Sequence, residues 1–316
     1  MLMVLVVHSD FKTFGIPNSL EIDNYPSLSY VRIFLEALSL PSVIIFVMIS
    51  GWFGIKSSIR GFLNFIFQVL YFQLLSFGLA WISGKVDFSL MNIAHIFCLP
   101  SCGWFVISYL GLYILAPIYN NYLDTVPQPT QRNVLISFFA LQTYFGFIGD
   151  SINFNFGYST LSFSGLYLLA GYVRRHQCKW NKLRCARIWG GVIIYLSATC
   201  TTAIIMSIAP FTIGRMMQYT NPLLIIASLA LIIQCNRINL KFSKSINFIA
   251  SSAFSVYLLH DNIFISHDFF IPLIKFIGVN YGFLAIAGVI IGIFVLSVLL
   301  DQPRKLLWTL LQKVLF

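Results

Sequence analysis

Charge is scarce in this chain: only 9% of its 316 residues are Asp, Glu, Lys or Arg, against 58% hydrophobic. A water-soluble domain of this length cannot cover its surface with so few charges, so the composition excludes one and points to a membrane protein. Also missing are the alternating segments of about ten residues that a transmembrane β-barrel requires. The apolar stretches are long and continuous, which leaves α-helices as the backbone that satisfies its own polar groups in lipid. The opening run MLMVLVV has no basic flank and no small-residue cleavage pattern after it, so no cleavable signal peptide is expected.

Other absences narrow the function. The six Cys form no CxxC pair and the five His form no pair at ligand spacing, so no metal site is expected. There is no glycine-rich phosphate loop, and no internal repeat of the kind that marks many transporters. On the topology derived next, Cys98 and Cys102 fall outside, where they can pair, while Cys178 and Cys185 fall in a cytoplasmic loop where thiols stay reduced.

What is present is a series of about ten apolar segments, at about 1–14, 28–53, 61–83, 103–120, 133–149, 160–173, 188–209, 221–235, 246–266 and 281–300. Pro41 lies inside the second, where a kink is expected, while Pro117, Pro222 and Pro303 lie near segment ends. The loops after even-numbered segments, together with the C-terminus, hold 15 of the 20 Lys and Arg. The opposite face keeps only Lys12, Arg32, Lys85, Arg215 and Lys275. This asymmetry assigns the even loops and both termini to the cytoplasm. It also accounts for the net charge of +10 without nucleic acid as a partner.

The expected fold is therefore all-α: a polytopic membrane helix bundle of about ten transmembrane helices, forming one membrane-embedded domain over residues 1–316. Its final stretch, 304–316, sets Leu and Trp on one face with Lys flanking, and reads as an interfacial helix. The first segment would cover only about 21 Å of a hydrocarbon core about 30 Å thick, so it is expected to be cut short at its start.

Ionisable groups in such a bundle are the first candidates for function, because their burial is costly. His8 sits in the outer half of the first segment, and a neutral imidazole is the side chain best matched to taking a proton near physiological pH. An interfacial His bonded to a neighbouring helix is the competing reading. His260 closes the ninth segment on the same side, with Tyr257 and Asp261 within one turn of it, able to fix its tautomer or contact an acceptor. Arg174 and Arg175 open the densest basic stretch, continued by Lys179, Lys182, Arg184 and Arg187. That stretch could grip phosphates, although positive-inside retention explains it equally.

Four separated stretches together resemble the acyltransferase-3 family of integral membrane acyltransferases: VLVVHSD around His8, FVMISGWFG at 46–54, GWFVISYLGLYILAPIYN at 103–120, and IASSAFSVYLLHDN at 249–262. The run GLYLLAGYVRR at 165–175 adds a weaker match. The family places a basic residue about ten positions before the first-helix His, whereas seven residues precede His8 here. The resemblance implies an O-acyltransferase of the inner (plasma) membrane, multi-pass, with a cytoplasmic C-terminus. It would move an acyl group, most simply acetyl, from acyl-CoA to a hydroxyl of a cell-surface glycan or its lipid-linked precursor. It implies no bound cofactor, acyl-CoA being the donor substrate, and names the glycan and membrane lipid as partners.

On that resemblance His8 is the general base, assisted by His260. Ser50, Trp104, Tyr109 and Tyr257 are assigned to a substrate or donor channel, and Arg174 and Arg175 to the donor's phosphates. A transporter or flippase for the same glycans is the rival from another class, expected to show broken helices in two matched halves and more intramembrane charge.

Overall fold

The computed structural model describes residues 1–97, 102–176, 189–238 and 241–316, and among these it is helical with no strand. The helices are α1 Leu2–Ser9, α2 Phe11–Phe14, α3 Ser19–Asn24, α4 Pro26–Ser39, α5 Pro41–Phe53, α6 Ile59–Ile82, α7 Leu90–Phe97, α8 Trp104–Thr125 and α9 Gln128–Leu141. There follow α10 Thr160–His176, α11 Gly190–Ile208, α12 Ile213–Met216, α13 Pro222–Arg237, α14 Lys244–Ala250, α15 Ala253–His260, α16 Ile271–Tyr281 and α17 Phe283–Leu315. The chain forms two compact units: Met1–Phe14, Ser57–Ile107 and Lys241–Phe316 make the first, Gly15–Lys56 and Ser108–Leu240 the second.

In the first unit α17 packs against α1, α6, α15 and α16. An apolar core joins them, with Leu5, Val256, Phe270, Ile274, Ile286 and Ile290 all buried. Near the far end of α17 the packing turns polar. Asp301 is wholly buried and meets Arg304 at 2.7 Å, while Arg304 also donates to Asn64 on α6 at 3.1 Å. A charge in so apolar a setting persists only when paired, and this pair fastens α17 to α6.

The second unit is built on close helix crossings, with α11 against α13 and α4, and α5 against α10 and α13. Gly51 on α5 makes one crossing possible: a Cβ there would lie 2.3 Å from the backbone carbonyl oxygen of Tyr167 on α10. Small residues at contact points are how helices approach without a hydrophobic driving force in lipid. The break expected at Pro41 is present, since α4 stops at Ser39 and α5 starts on the proline. Carbonyls beside it find side-chain donors: the Tyr195 hydroxyl donates to Leu38 and the Ser228 hydroxyl to Pro41.

Four helical stretches are long and apolar enough to cross a membrane: Pro26–Phe53, Ile59–Ile82, Gly190–Ile208 and Phe283–Leu315. The count of about ten is not reached among the described residues, because several apolar segments are broken. The first splits at Asp10 into α1 and α2, and the ninth splits at Ser251–Ser252 into α14 and α15. Four stretches read as loops hold helices: α3, α7, α12 and α16. The α3 turn carries a capping box in which Asn18 and Glu21 satisfy each other's backbone. Residues 304–315, expected as a separate interfacial helix, continue α17 through Pro303. Outward-facing apolar side chains such as Val279, at 80% exposure, and Leu284, at 91%, suit lipid and not water.

Candidate active site

Two imidazoles far apart in sequence meet in the first unit. His8 Nδ1 lies 3.0 Å from His260 Nε2, with ring centroids 5.0 Å apart. Local structure explains the meeting. The first apolar segment cannot run on as one helix past Asp10, whose backbone leaves the helical region at φ −102°, ψ −90°. The Thr13 hydroxyl donates back to the His8 carbonyl at 2.7 Å, taking an acceptor that the broken helix no longer serves. That turn brings Lys12 back alongside His8. On the other side α15 ends at His260, and Asn262 closes the following turn by accepting from the Phe264 N–H at 3.0 Å. Asp261 thereby faces His8 as well as following His260.

Hydrogen-bond chemistry fixes the protons. His260 Nδ1 lies 2.5 Å from the Val256 carbonyl oxygen, which can only accept, so this nitrogen carries the hydrogen. In the neutral ring Nε2 is then the lone-pair side, and it accepts from His8 Nδ1–H. The remaining lone pair of His8 is on Nε2. That is the arrangement a general base needs: one nitrogen held, the other able to take a proton. Asp261 Oδ1 stands 3.6 Å from His8 Nδ1, where a carboxylate would stabilise a positive charge on the ring. The Lys12 ammonium forms an ion pair with the same oxygen and balances Asp261 while the ring is neutral.

The sequence let Asp261 hold the tautomer of His260 or contact an acceptor; in the structure the Val256 carbonyl holds His260 Nδ1, and Asp261 also meets His8 and Lys12. Tyr257 does belong to the cluster, its ring edge-on to His260 at 6.2 Å between centroids. The Tyr257 hydroxyl lies over Gly103, where a Cβ would come within 2.7 Å of it. Gly103 has φ +90°, so both its conformation and the hydroxyl above it exclude a side chain. Trp104, next in sequence, packs edge-on to Phe105, and Phe105 packs on Tyr257 at 5.4 Å. Trp104 thus reaches the cluster through Phe105.

The other named residues fall in the second unit. Ser50 and Tyr109 share a hydrogen bond of 3.0 Å. Arg174 donates to the Trp52 carbonyl and lies over the Phe53 ring at 5.3 Å. Arg175 pairs with Asp124 at 2.7 Å. Both arginines thus serve the end of α10, with only their remaining N–H groups left for a phosphate. Cys98, Cys178, Lys179, Lys182, Arg184, Cys185 and Arg187 lie outside the described residues. Cys102 is buried, and its sulfur accepts from Gln73 at 3.0 Å.

Lys12, Gln73 and Asn262 were not among the expected site residues, yet Lys12 pairs with Asp261 and Asn262 donates to Gln73 nearby. Lys12 had a signal, being one of five cations on the basic-poor face and at position i+4 from His8. Gln73 had one too, as an amide within the apolar run of α6.

The acyltransferase-3 family, described as an acyltransferase domain, matches residues 1–301. No curated protein and no solved structure matches the chain. With the match running through nearly the whole sequence and both units, this chain belongs to the acyltransferase-3 family and is a membrane acyltransferase, acting on acyl groups other than aminoacyl.

Proposed function

We propose that this protein transfers an acetyl group from acetyl-CoA to a hydroxyl of a cell-surface glycan or its lipid-linked precursor, at the inner membrane, as one acyltransferase domain with a cytoplasmic C-terminus. The observation that carries the chemistry is the His8–His260 pair with Asp261 beside it. His8 Nε2 takes the proton of the acceptor hydroxyl as its oxygen attacks the thioester carbonyl. The carbon–sulfur bond then breaks, and the proton passes from His8 to the departing thiolate. His260 does not exchange a proton in this scheme. It holds His8 in the tautomer whose Nε2 is free, and Asp261 stabilises the imidazolium.

The acetyl group, the CoA donor and the glycan acceptor come from the family resemblance. The lack of any bound cofactor follows the same reading, since a thioester is already activated. Trp104 and Tyr257 would line the reacting end, Ser50 and Tyr109 the donor path, and Arg174 and Arg175 the donor's phosphates. The charge asymmetry of the loops supports the orientation.

The test is donor turnover. Purified full-length protein, given acetyl-labelled acetyl-CoA and extracted envelope glycans, is expected to release CoA and place the label on glycan. A protein that binds these glycans but leaves acetyl-CoA intact would refute the donor and favour a carrier.

A further inference from the structure

A small recess lies behind Tyr257 and Asp261, the neighbours of the histidine pair, and its walls have a chemistry that the base does not use. Gln73 from α6 and Asn262 from the turn after α15 meet there, with Asn262 Nδ2 donating to Gln73 Oε1 at 3.0 Å. Gln73 Nε2 in turn donates to the Cys102 sulfur at 3.0 Å. Both amides are buried, at 2% and 7% exposure. Each amide nitrogen carries two hydrogens, and these contacts use one apiece. A buried amide with a donor to spare is costly unless something accepts from it. Tyr257 and Asp261 complete the walls, and the space holds little more than one oxygen-sized group.

Size, donors and location converge. Acyl transfer passes through a tetrahedral intermediate whose former carbonyl oxygen becomes an alkoxide, and the largest single contribution of many such sites is a set of donors aimed at that oxygen. The recess shares Tyr257 and Asp261 with the histidine site. Asp261 would repel an alkoxide if it were bare, but Lys12 neutralises it and His8 becomes positive as the alkoxide forms.

We infer that the recess is the oxyanion site of the acyl transfer, with the second N–H groups of Gln73 and Asn262 as its donors. The inference rests on the acyl-transfer reading above. As the hydroxyl oxygen bonds to the carbonyl carbon, the carbonyl π electrons move onto oxygen and are held by these donors. They return when the carbon–sulfur bond breaks and thiolate leaves with the proton from His8.

Two measurements test it. The first leaves the protein unchanged: full-length wild type is compared on acetyl-CoA and on its thiono analogue, in which sulfur replaces the carbonyl oxygen. Sulfur is larger and a weaker acceptor, so turnover is expected to fall about 100-fold or more. In the second, Gln73→Met keeps the length of the side chain, and Asn262→Asp keeps the acceptor for Phe264 while removing the donor. Each is expected to lower kcat about 100- to 1000-fold with KM for acetyl-CoA within a few-fold. A purely structural role would instead move KM and thermal stability together with kcat. Thiono turnover equal to that of acetyl-CoA, or both variants retaining wild-type kcat, overturns the inference. If His8→Ala is still inactive in that case, the acyl-transfer reading survives. A wild type that never consumes acetyl-CoA removes both.

Discussion

At the scale of the residue, the histidine pair is a chain of hydrogen bonds whose direction is set by one carbonyl. Because Val256 O can only accept, His260 must donate to it, and each partner down the line to His8 Nε2 follows. His260→Ala should therefore leave His8 in place but free its tautomer, lowering kcat by about 10- to 100-fold, the cost of one hydrogen bond to a group that becomes charged. Asp261→Asn should cost a similar factor, and Lys12→Met less, measured as CoA release. An Asp261→Asn enzyme with full kcat would show that the 3.6 Å approach to His8 has no part in catalysis.

His8 and His260 were both legible in the sequence as ionisable residues ending apolar runs. Their contact was not, because 252 positions separate them and nothing in the local pattern encodes which turn faces which. The same gap hid the contacts of Asp261 with His8 and Lys12, which lie far from it in sequence.

At the scale of the element, packing is decided by a few positions where backbones touch or charges are shut in. Gly51→Ala would drive a methyl into the Tyr167 backbone, which cannot yield as a side-chain tip can, and should destabilise the protein by about 1–3 kcal/mol or more. Gly288→Ala on α17 meets nothing within 4 Å and should be neutral or stabilising by up to about 1 kcal/mol through helix propensity. Unfolding in detergent distinguishes the two, and equal effects would show that the α5–α10 contact is not close. Asp301→Ala should cost about 3–5 kcal/mol, because it leaves Arg304 buried without its carboxylate. Asp301→Ala combined with Arg304→Met should recover part of that loss. The kink at Pro41 was legible because proline acts locally, through its missing N–H. The breaks at Asp10 and at Ser251–Ser252 were not, since neither carries proline or glycine.

At the scale of the whole molecule, composition was the most readable layer. Scarce charge and long apolar runs dictated an all-helical membrane protein, and the order of four stretches pointed to the acyltransferase-3 family that matches residues 1–301. The number of spans was less readable, because apolarity marks what prefers lipid and not whether one unbroken helix crosses it. The path of α17 makes the point: its 33 residues extend about 50 Å, well beyond a core of about 30 Å, although its apolar run alone suggests a shorter span followed by a separate helix. The charge asymmetry predicts that a cysteine placed at Lys56 or Lys313 reacts with an impermeant thiol reagent only from the cytoplasmic side, and one at Lys85 or Lys275 only from outside. Labelling of all four from one side would overturn that orientation.

The role of His8 as the base of an acyl transfer is tested by comparing wild type with His8→Ala in membranes, at matched levels of inserted protein, by transfer of label from acetyl-CoA to glycan. Normal insertion and stability are expected, with transfer reduced by about 100- to 10,000-fold. Transfer at the wild-type rate by a correctly inserted His8→Ala protein would contradict it.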